Sequence, residues 1–562
     1  MSDKKQYDAI VVGSGATGGV AAKELAERGL ETLVLEAGPK LDETMFRTEG
    51  GFKTIGSMSR VIAGIKGQHV QAGATFFSPE KSFLFVNDRQ NPYTHPAGQY
   101  FAWYRGRHVG GRILSWGRVV IRMSDYDFKG ASRDGVGEDW PISYDDLAPY
   151  YDHVEDFLGV VGTSDGIPNL PDGRYRKTAG LGELEQGFKR TVESRWPERK
   201  VVPWRYVMEE ATPEDAATGT RTSATLAAAE ATGRLKLQAN AIVERIDIDP
   251  QTGNATGVTY IDAGTKQRHS VSANVVVVCA STIESIRLLL NSGCTKHPDG
   301  VGNSSGLLGK YFMDQCPSLI FGTVPGSNGW ELVDGTSPAN NHGGIYMPRF
   351  TNLDGVTHPD FVKGFNVQGV IGRGPVPEDH PAVYGFMGQG EMPAYQENSI
   401  TLNGRRKDAW GMPVPHINVK LTDNERKLLR AEVDAIKEMS REAGYEIDFA
   451  ISLLGIDKTE KFLPEAGWFE KMMFRFGYKR SMAMGAAIHE CGGARMGTDP
   501  KTSVLNAHNQ CWDVPNVFVT DSSCFVSNGT CGPTLTTMAL TTRACEYIAQ
   551  EYQGTRDIRS AA

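Results

Sequence analysis

The chain has 562 residues, which is too long for one compact domain of ordinary size and predicts two domains. Its apolar and charged fractions are near globular averages, and its net charge of −8 offers no electrostatic basis for binding nucleic acid or an anionic membrane. The composition therefore favours small, neutral partners.

The first residues, MSDKKQYDAIVVG, lead into a strand pattern and contain no apolar segment long enough for a signal peptide or a membrane span. This start predicts a cytoplasmic protein with no membrane contact. The eight cysteines show neither the CxxC spacing of a zinc site nor a CxxCH haem attachment site. We expect reduced, mostly buried thiols and no bound metal, so that any haem would come from a partner.

The segment YDAIVVGSGATGGVAAKELAERGLETLVLEAG predicts a strand, a glycine-rich turn, a helix and a second strand. Ala9 to Val12 form the first strand, and Gly13, Gly15 and Gly18 follow as GxGxxG. Such glycines allow a tight turn, bring the backbone close to a pyrophosphate and let the helix pack on the strand. Glu36 ends the second strand, where it can accept ribose hydrogen bonds. The unit predicts a dinucleotide site, and the alternative is an ordinary βαβ unit.

Two amphipathic helices are predicted further along the chain by their capping pairs. Ser143 and Asp146 begin one helix, and Thr422 and Glu425 begin another that stops at Gly444. Their charged residues are expected to form solvated faces.

Later strands are predicted to return to the first sheet. In HSVSANVVVVCASTIESIRLLLNSG, Val275 to Val278 form an apolar strand that leads into a helix. Near the end, VPNVFVTDSSCF is another short strand with Asp521 at its carboxyl end, and Pro533 suits the first turn of the following helix. The nucleotide domain is therefore built from separated pieces, with a second domain threaded between them.

With these motifs, the chain resembles the glucose–methanol–choline family of FAD-dependent oxidoreductases over essentially its whole length. The resemblance rests on the N-terminal fingerprint, GRHVGGRILSWGR at 106–118, VVVVCASTIESIRLLLNSG at 275–293, and HECGGARMG, DVPNVFVTDSSCF and GPTLTTMAL. GEDWPISYDDLAPYYDHVEDFLG and RMGTDPKTSVLN are most similar to the branch of glucoside 3-dehydrogenases, glycoside 3-oxidases, gluconate 2-dehydrogenases and pyranose 2-oxidases. A sugar or glycoside substrate is implied.

The resemblance implies an α/β and α+β fold in two parts. A Rossmann-like FAD-binding domain is expected from residues 1–45, 101–160, 235–320 and 480–562. A mostly antiparallel-sheet substrate-binding domain is expected from residues 46–100, 161–234 and 321–479, with polar and aromatic residues such as Tyr93, Gln368, Gln389 and Glu391.

The resemblance also implies which residues contact FAD. These are Gly13, Gly15, Gly18 and Glu36 at the ADP half, Val243 beside the adenine, Gly110 and Gly111 along the pyrophosphate, Ser115, Trp116 and Gly117 near the flavin ring, Asp521 near the ribityl or phosphate region, and the backbone of Thr534 at the ring's carbonyl edge. Unrelated turns remain the alternative for the glycines, and a cap of the following turn remains the alternative for Asp521.

Ser115 bears on how the flavin is attached. Pyranose 2-oxidases of the fungal type bind FAD covalently through a histidine that aligns with Ser115, and a serine cannot form that bond. The resemblance therefore implies non-covalent FAD.

His489 aligns with the family's catalytic histidine, and an imidazole can take the proton of an alcohol that is being oxidised. A structural histidine is the alternative. The family usually has a second His or Asn where this chain has Gly532, so either His489 works with water or a neighbour takes part. Asn528 is the nearby amide in that loop, although a polar residue beside Gly529 is usually turn chemistry.

Three functions stay open from the sequence. The first is oxidation of a ring secondary alcohol of a sugar or glycoside, at C3, with electrons passing to O2 or another acceptor. The second is a pyranose 2-oxidase or another alcohol oxidase. The third is a sugar or gluconate dehydrogenase subunit that requires a small or haem-bearing partner subunit.

Overall fold

The computed structural model describes residues 6–42, 44–45, 58–207, 223–329, 343–353, 357–373, 376–457 and 467–561. The strands are β1 Tyr7–Val12, β2 Thr32–Leu35, β3 Val160–Gly162, β4 Lys177–Thr178, β5 Val202–Pro203, β6 Tyr206–Val207, β7 Leu235–Gln238, β8 Ala241–Ile248, β9 Ala255–Asp262, β10 Arg268–Val278, β11 Cys316–Val324, β12 Ile345–Met347, β13 Phe365–Ile371, β14 Ala382–Gly390, β15 Ser399–Lys407, β16 Pro413–Asn418, β17 Glu446–Ser452, β18 Gly455–Ile456 and β19 Val517–Val519. The α-helices are α1 Ala16–Glu27, α2 Met58–Ala63, α3 Asp125–Phe128, α4 Gly130–Asp134, α5 Tyr144–Leu158, α6 Glu183–Arg195, α7 Ser223–Ala231, α8 Thr282–Asn291, α9 Asp423–Glu442, α10 Trp468–Ser481 and α11 Thr534–Ala561.

The first sheet has the strand order β7-β2-β1-β10-β9-β8, and β19 also pairs with β10. β1 is parallel to β2 and to the second half of β10, where Val12 pairs with Val278. The first half of β10 pairs antiparallel with β9. The apolar run Val275 to Val278 is therefore central in the first sheet, which confirms that a distant part of the chain returns beside β1.

Helices cover the first sheet because their apolar faces match its buried residues. α1 buries Ala21, Ala22 and Leu25 against strand residues such as Val11 and Val277. α5 and α11 lie in the same layer as α1, and Tyr151 of α5 contacts Thr536 of α11 through their hydroxyl groups at 2.7 Å. These helices hold the start of α11 at the carboxyl end of the sheet.

One predicted boundary differs from the observed packing. α7 falls in the segment 161–234 that the sequence assigns to the substrate domain, but its Leu226 and Ala229 join the core around α1. A Cβ on Gly19 of α1 would lie 2.3 Å from the Thr225 hydroxyl. Close packing on α1 places α7 with the first sheet, and the sequence pattern of a short Ala-rich helix carries no sign of which sheet it covers.

The second sheet is antiparallel, with the order β18-β17-β11-β14-β13-β12-β5. α9 covers it through Leu428, Val433 and Ile436. Both predicted capping boxes are present, at Ser143 with Asp146 and at Thr422 with Glu425. The predicted antiparallel second region is thus confirmed. β11 begins at Cys316, so residues 316–320, which the sequence assigns to the FAD-binding domain, belong to the second sheet.

None of the helices in the described ranges is both long and apolar enough to cross a bilayer. Seven of the eight cysteines are buried and the eighth, Cys294, is half-buried. Among the described residues, no three His, Cys, Asp or Glu side chains are grouped so that they could hold a metal ion.

Candidate active site

The glycines of the first turn lie where a side chain would collide with backbone. Gly13 has φ +96°, and a Cβ there would lie 2.5 Å from the Cys279 carbonyl oxygen. A Cβ on Gly18 would lie 2.0 Å from the Gly13 carbonyl oxygen, so α1 approaches the turn more closely than any other residue would allow. Gly15 precedes α1 as its N-cap, so the free N–H groups of the first helical turn begin there.

Glu36 follows β2 and is buried beside this turn. One carboxylate oxygen accepts hydrogen bonds from the Ser14 amide at 3.0 Å and the Ser14 hydroxyl at 2.6 Å. The other accepts from the Gly38 amide at 2.9 Å. The carboxylate is therefore held in one orientation at the end of the sheet, with one lone pair on Oε1 left for a further donor.

The second glycine pair lies directly against the first turn. The Gly110 amide donates to the Ser14 hydroxyl at 3.1 Å. A Cβ on Gly111 would lie 3.2 Å from Gly15 Cα. Two glycine-bearing loops that are about a hundred residues apart thus form one backbone-lined surface at the N-terminus of α1, suited to a phosphate group.

The residues predicted near the ring and the adenine lie on two elements that adjoin these loops. Ser115 ends a short 3-10 turn and its hydroxyl donates to the Arg112 carbonyl at 3.1 Å. Trp116 is half-buried, and Gly117 is exposed with open space around its Cα. Val243 is buried on β8, whose first residue, Ala241, donates its amide to the Glu36 carbonyl.

Asp521 caps the short 3-10 turn Ser522–Cys524, as the alternative interpretation allowed. Its carboxylate accepts from the Ser523 amide at 3.0 Å and the Ser523 hydroxyl at 2.6 Å, and it also accepts from the Ser285 hydroxyl. Burial raises the pKa of Asp521 above its usual range. Thr534 is the first residue of α11, so the free N–H groups of this helix begin beside the same loop.

These features fit a dinucleotide such as FAD. The two glycine loops form a cradle that a Cβ would fill, and Glu36 stands fixed at one end of it. The buried Asn528 side chain has no hydrogen-bond partner within the described parts of the chain on either its oxygen or its nitrogen. An uncompensated buried amide is costly, so its presence indicates a ligand or water that completes it.

His489 lies on a loop that hydrogen bonds hold in place on both sides. Its amide donates to Asp314 at 3.1 Å, and Met313 and Cys491 exchange backbone hydrogen bonds in an antiparallel bridge. Ile488, immediately before it, has a positive φ of 63°, an unfavourable conformation for a β-branched residue. Backbone strain of this kind persists only where the surrounding contacts fix it, and it concentrates at functional sites.

The imidazole of His489 contacts two other segments. Its Nδ1 lies 2.6 Å from the Gln315 side-chain oxygen. A Cβ on Gly532 would lie 3.4 Å from Nε2 and 3.5 Å from Cε1. Gly532, where the resemblance predicts a second His or Asn in other members, therefore lies against the Nε2 edge of His489, and as a glycine it places no side chain over that edge.

His489 is in the neutral form at pH 7. Burial, together with the positive charge of Arg112, lowers its pKa to about 4. Arg112 pairs with Glu490 at 2.8 Å and donates to the Ser281 hydroxyl at 3.1 Å. Burial and the neighbouring Glu490 raise the pKa of Asp314 to about 8, so this carboxyl is largely protonated at pH 7. A neutral imidazole has a lone pair and can act as a base.

Asn528 lies in the same loop as Gly532, but no described contact joins it to His489. The link between them is indirect, because Gln315 donates to the carbonyls of Gly529 and Cys531 at 3.0 and 2.9 Å. The predicted pair of His489 and Asn528 thus shares a loop and a common neighbour rather than a direct hydrogen bond.

Sequence reasoning missed Gln315, Asp314, Arg112 and Glu490. Arg112 stands inside the quoted GRHVGGRILSWGR motif, which could have drawn attention to it. Gln315 lies 174 residues before His489, in a stretch with no distinctive spacing, so no local pattern signals the contact.

Two family models match the chain, both described as GMC oxidoreductase, one over residues 7–315 and the other over residues 394–541. The 2-methyl-1,2-propanediol dehydrogenase of Mycolicibacterium austroafricanum is 28% identical over 99% of this chain and 97% of its own length. The C-glycoside 3-oxidase of Microbacterium trichothecenolyticum is 26% identical, over 54% of this chain and 52% of its own length.

Among solved structures, pyridoxine 4-oxidase from Mesorbium loti is similar, with a TM-score of 0.58 and 18% identity. The similarity covers 97% of this chain and 99% of that one. At this identity the comparison supports the fold alone.

Proposed function

Since the chain belongs to the GMC oxidoreductase family, whose members are FAD-dependent oxidoreductases acting on CH–OH donors, we propose that it oxidises a ring secondary alcohol of a sugar or glycoside. The proposed position is C3 and the product is a keto sugar. The observation that carries the proposal is the neutral His489, whose Nε2 edge is left open at Gly532.

The chemistry requires that a proton leave the hydroxyl group and a hydride leave the same carbon. FAD, when bound, supplies the acceptor for the hydride. His489 Nε2 takes the hydroxyl proton, so the substrate hydroxyl must approach through the space beside Gly532. The positive charge of Arg112 disfavours a lasting imidazolium and thereby promotes release of the proton after each turnover.

We also propose that the cofactor contacts are those expected from the sequence and that FAD is bound without a covalent link. The cradle of Gly13, Gly15, Gly18, Gly110 and Gly111 would hold the pyrophosphate, and Glu36 the ribose. Ser115 supports non-covalent attachment, because its hydroxyl offers no bond to the flavin and instead donates to the Arg112 carbonyl. Acid or heat should release free FAD from the yellow protein, and flavin that stays on the denatured chain would contradict this.

The glycoside assignment is supported by the C-glycoside 3-oxidase relative, which matches about half of the chain. The diol dehydrogenase relative matches nearly all of it and favours a second candidate, oxidation of a small vicinal diol. Both substrates present neighbouring hydroxyl groups, so the same base and hydride geometry serves either.

Product identification separates these candidates. Glucose, aryl and alkyl glycosides, gluconate and 1,2-diols should be offered to the purified protein, and products located by NMR. Glycosides oxidised at C3 would support the leading proposal. Oxidation at C2 would indicate a pyranose 2-oxidase, and turnover restricted to diols would refute the sugar assignment.

The electron acceptor is tested on the isolated chain. Steady oxygen consumption with peroxide release indicates an oxidase. Flavin reduction without oxygen consumption, restored by an artificial acceptor, indicates a dehydrogenase that depends on a small or haem-bearing partner.

A further inference from the structure

The side-chain amide of Gln315 makes three hydrogen bonds and is fully buried. Its nitrogen lies 3.0 Å from the Gly529 carbonyl and 2.9 Å from the Cys531 carbonyl. Its oxygen lies 2.6 Å from Nδ1 of His489. One residue thus connects the His489 ring to the loop that carries Gly532.

The two carbonyls decide which way this amide points. A carbonyl oxygen can only accept a hydrogen bond, so the group that faces Gly529 and Cys531 must be the NH2 group of Gln315. The oxygen is then left facing His489, and an amide oxygen also only accepts. The proton of this contact therefore belongs to Nδ1 of the imidazole.

We propose that Gln315 is a positioning residue that holds His489 in the Nδ1–H tautomer, with the Nε2 lone pair directed to the open side at Gly532. The inference extends the proposed function, since it explains how His489 presents a base to the substrate hydroxyl. The orientation of the amide is fixed by backbone carbonyls and so does not depend on substrate or cofactor.

An amide at this position differs from a carboxylate in charge. Within the described residues, the charged or titratable groups next to His489 are Arg112, Glu490, which pairs with Arg112, and Asp314, which accepts a hydrogen bond from the His489 amide. Gln315 orients the ring without adding a negative charge that would stabilise imidazolium. A carboxylate in its place would favour the protonated ring, typically by about 1 to 3 pKa units.

The chain offers a matched control in Asn366 on β13. Its side-chain nitrogen donates to the Thr530 carbonyl, the one between the two carbonyls that Gln315 binds. No described contact joins Asn366 to His489. Asn366→Leu should therefore weaken the same loop without altering the tautomer, and it separates loop anchoring from positioning of the ring.

The direct test is nitrogen NMR of protein labelled with ¹⁵N-histidine, with the His489 signals assigned by their loss in His489→Gln. In the wild-type protein Nδ1 should be the protonated nitrogen and Nε2 the unprotonated one. This measurement requires neither turnover nor a variant at Gln315. A wild-type ring protonated at Nε2 at neutral pH would overturn the proposal.

Two variants extend the test. Gln315→Met should populate the other tautomer and slow anaerobic flavin reduction by roughly ten- to a hundredfold, the scale of a misplaced catalytic group. Gln315→Glu removes the two hydrogen bonds to the Gly529 and Cys531 carbonyls. At pH values where its carboxyl is ionised, it should raise the pH at which flavin reduction falls off on the acid side, and the NMR titration of His489, by about 1 to 3 pH units. Asn366→Leu should keep the wild-type tautomer of His489 and the wild-type pH dependence of flavin reduction on the acid side.

Unchanged tautomer, rate and acid limb in both Gln315 variants would refute the positioning role. Failure of the proposed function gives a different pattern: His489→Ala would reduce flavin at the wild-type rate, while the NMR spectrum could still show the Nδ1–H tautomer. The two outcomes are therefore distinguishable.

Discussion

The two glycine loops and the surroundings of His489 show how differently one chain builds two halves of a site. In the cradle, the close approach of backbone segments defines the shape of the surface. The Glu36 carboxylate accepts three hydrogen bonds, two from Ser14 and one from Gly38. Around His489, side chains from distant segments meet, and Asp314, Glu490 and Asn528 each keep a buried polar atom with no partner in the described residues. The first half is fixed largely by local backbone contacts, and the second contains buried polar atoms whose hydrogen bonds are not completed within the described residues.

The largest effect should come from removing the base. His489→Ala should lower the rate of anaerobic flavin reduction by roughly a hundredfold to ten-thousandfold, the usual range for one positioned acid–base group. FAD content and melting temperature should stay close to wild type, because the loop is held by its own backbone hydrogen bonds. Rapid mixing that follows flavin bleaching measures this without involving the electron acceptor.

Loss of flavin or precipitation of His489→Ala would favour a structural role for the residue. A wild-type rate of reduction would show that the family's catalytic role does not transfer to this position. His489→Gln, which keeps a polar side chain of similar size, serves as the shape control.

The next effect should appear in the cradle. Glu36→Ala should weaken FAD binding by about 1 to 3 kcal/mol through loss of ribose hydrogen bonds, without unfolding the chain. Titration of apoprotein with FAD measures it, and Glu31→Ala, an exposed carboxylate just before β2, provides the control. Equal FAD affinity in both variants would show that Glu36 does not bind the ribose.

A smaller effect is expected at the open side of His489. Gly532→Asn restores a side chain usual in the family and places it against Nε2 of His489. It should therefore lower kcat/KM for glycosides about tenfold more than kcat/KM for free glucose, which corresponds to about 1.4 kcal/mol. Gly532→Ala adds only a methyl group at ordinary contact distance and should discriminate less. Equal losses on both substrates would show that Gly532 does not provide space for the aglycone.

Substitution of Asp314 should have the smallest effect on the rate of the reaction. It should instead change how the stability of the folded protein depends on pH. Its folded pKa of about 8 lies above the usual 3.8, so the folded state holds a proton that the unfolded state releases as pH rises through this range. The contribution of Asp314 to wild-type stability should therefore fall from about pH 4 to pH 8. The lowered pKa of His489 makes its own contribution rise with pH up to about 6.5, so the net decline is expected between about pH 6.5 and pH 8. Asp314→Asn, which mimics the protonated acid, should flatten the pH dependence of the melting temperature, whereas the exposed Asp360→Asn should not. A parallel decline in all three proteins would exclude Asp314 as the source.

The sequence by itself predicted the first turn of the cradle, because a βαβ unit with GxGxxG brings small residues together within one short stretch. The second glycine pair, Gly110 and Gly111, was expected from the family resemblance, and only the tertiary structure shows that it lies against that turn. The sequence also indicated the return of Val275 to Val278 to the first sheet and the two capped helices, since an apolar strand and a capping pair are local signals. The antiparallel second region was expected from the family resemblance. Only the tertiary structure decided that α7 covers the first sheet and that Asp521 caps its own turn. The same holds for Gln315, which meets His489 from a segment 174 residues away, because contacts between distant segments depend on the packing of whole sheets and leave no periodic trace in the sequence.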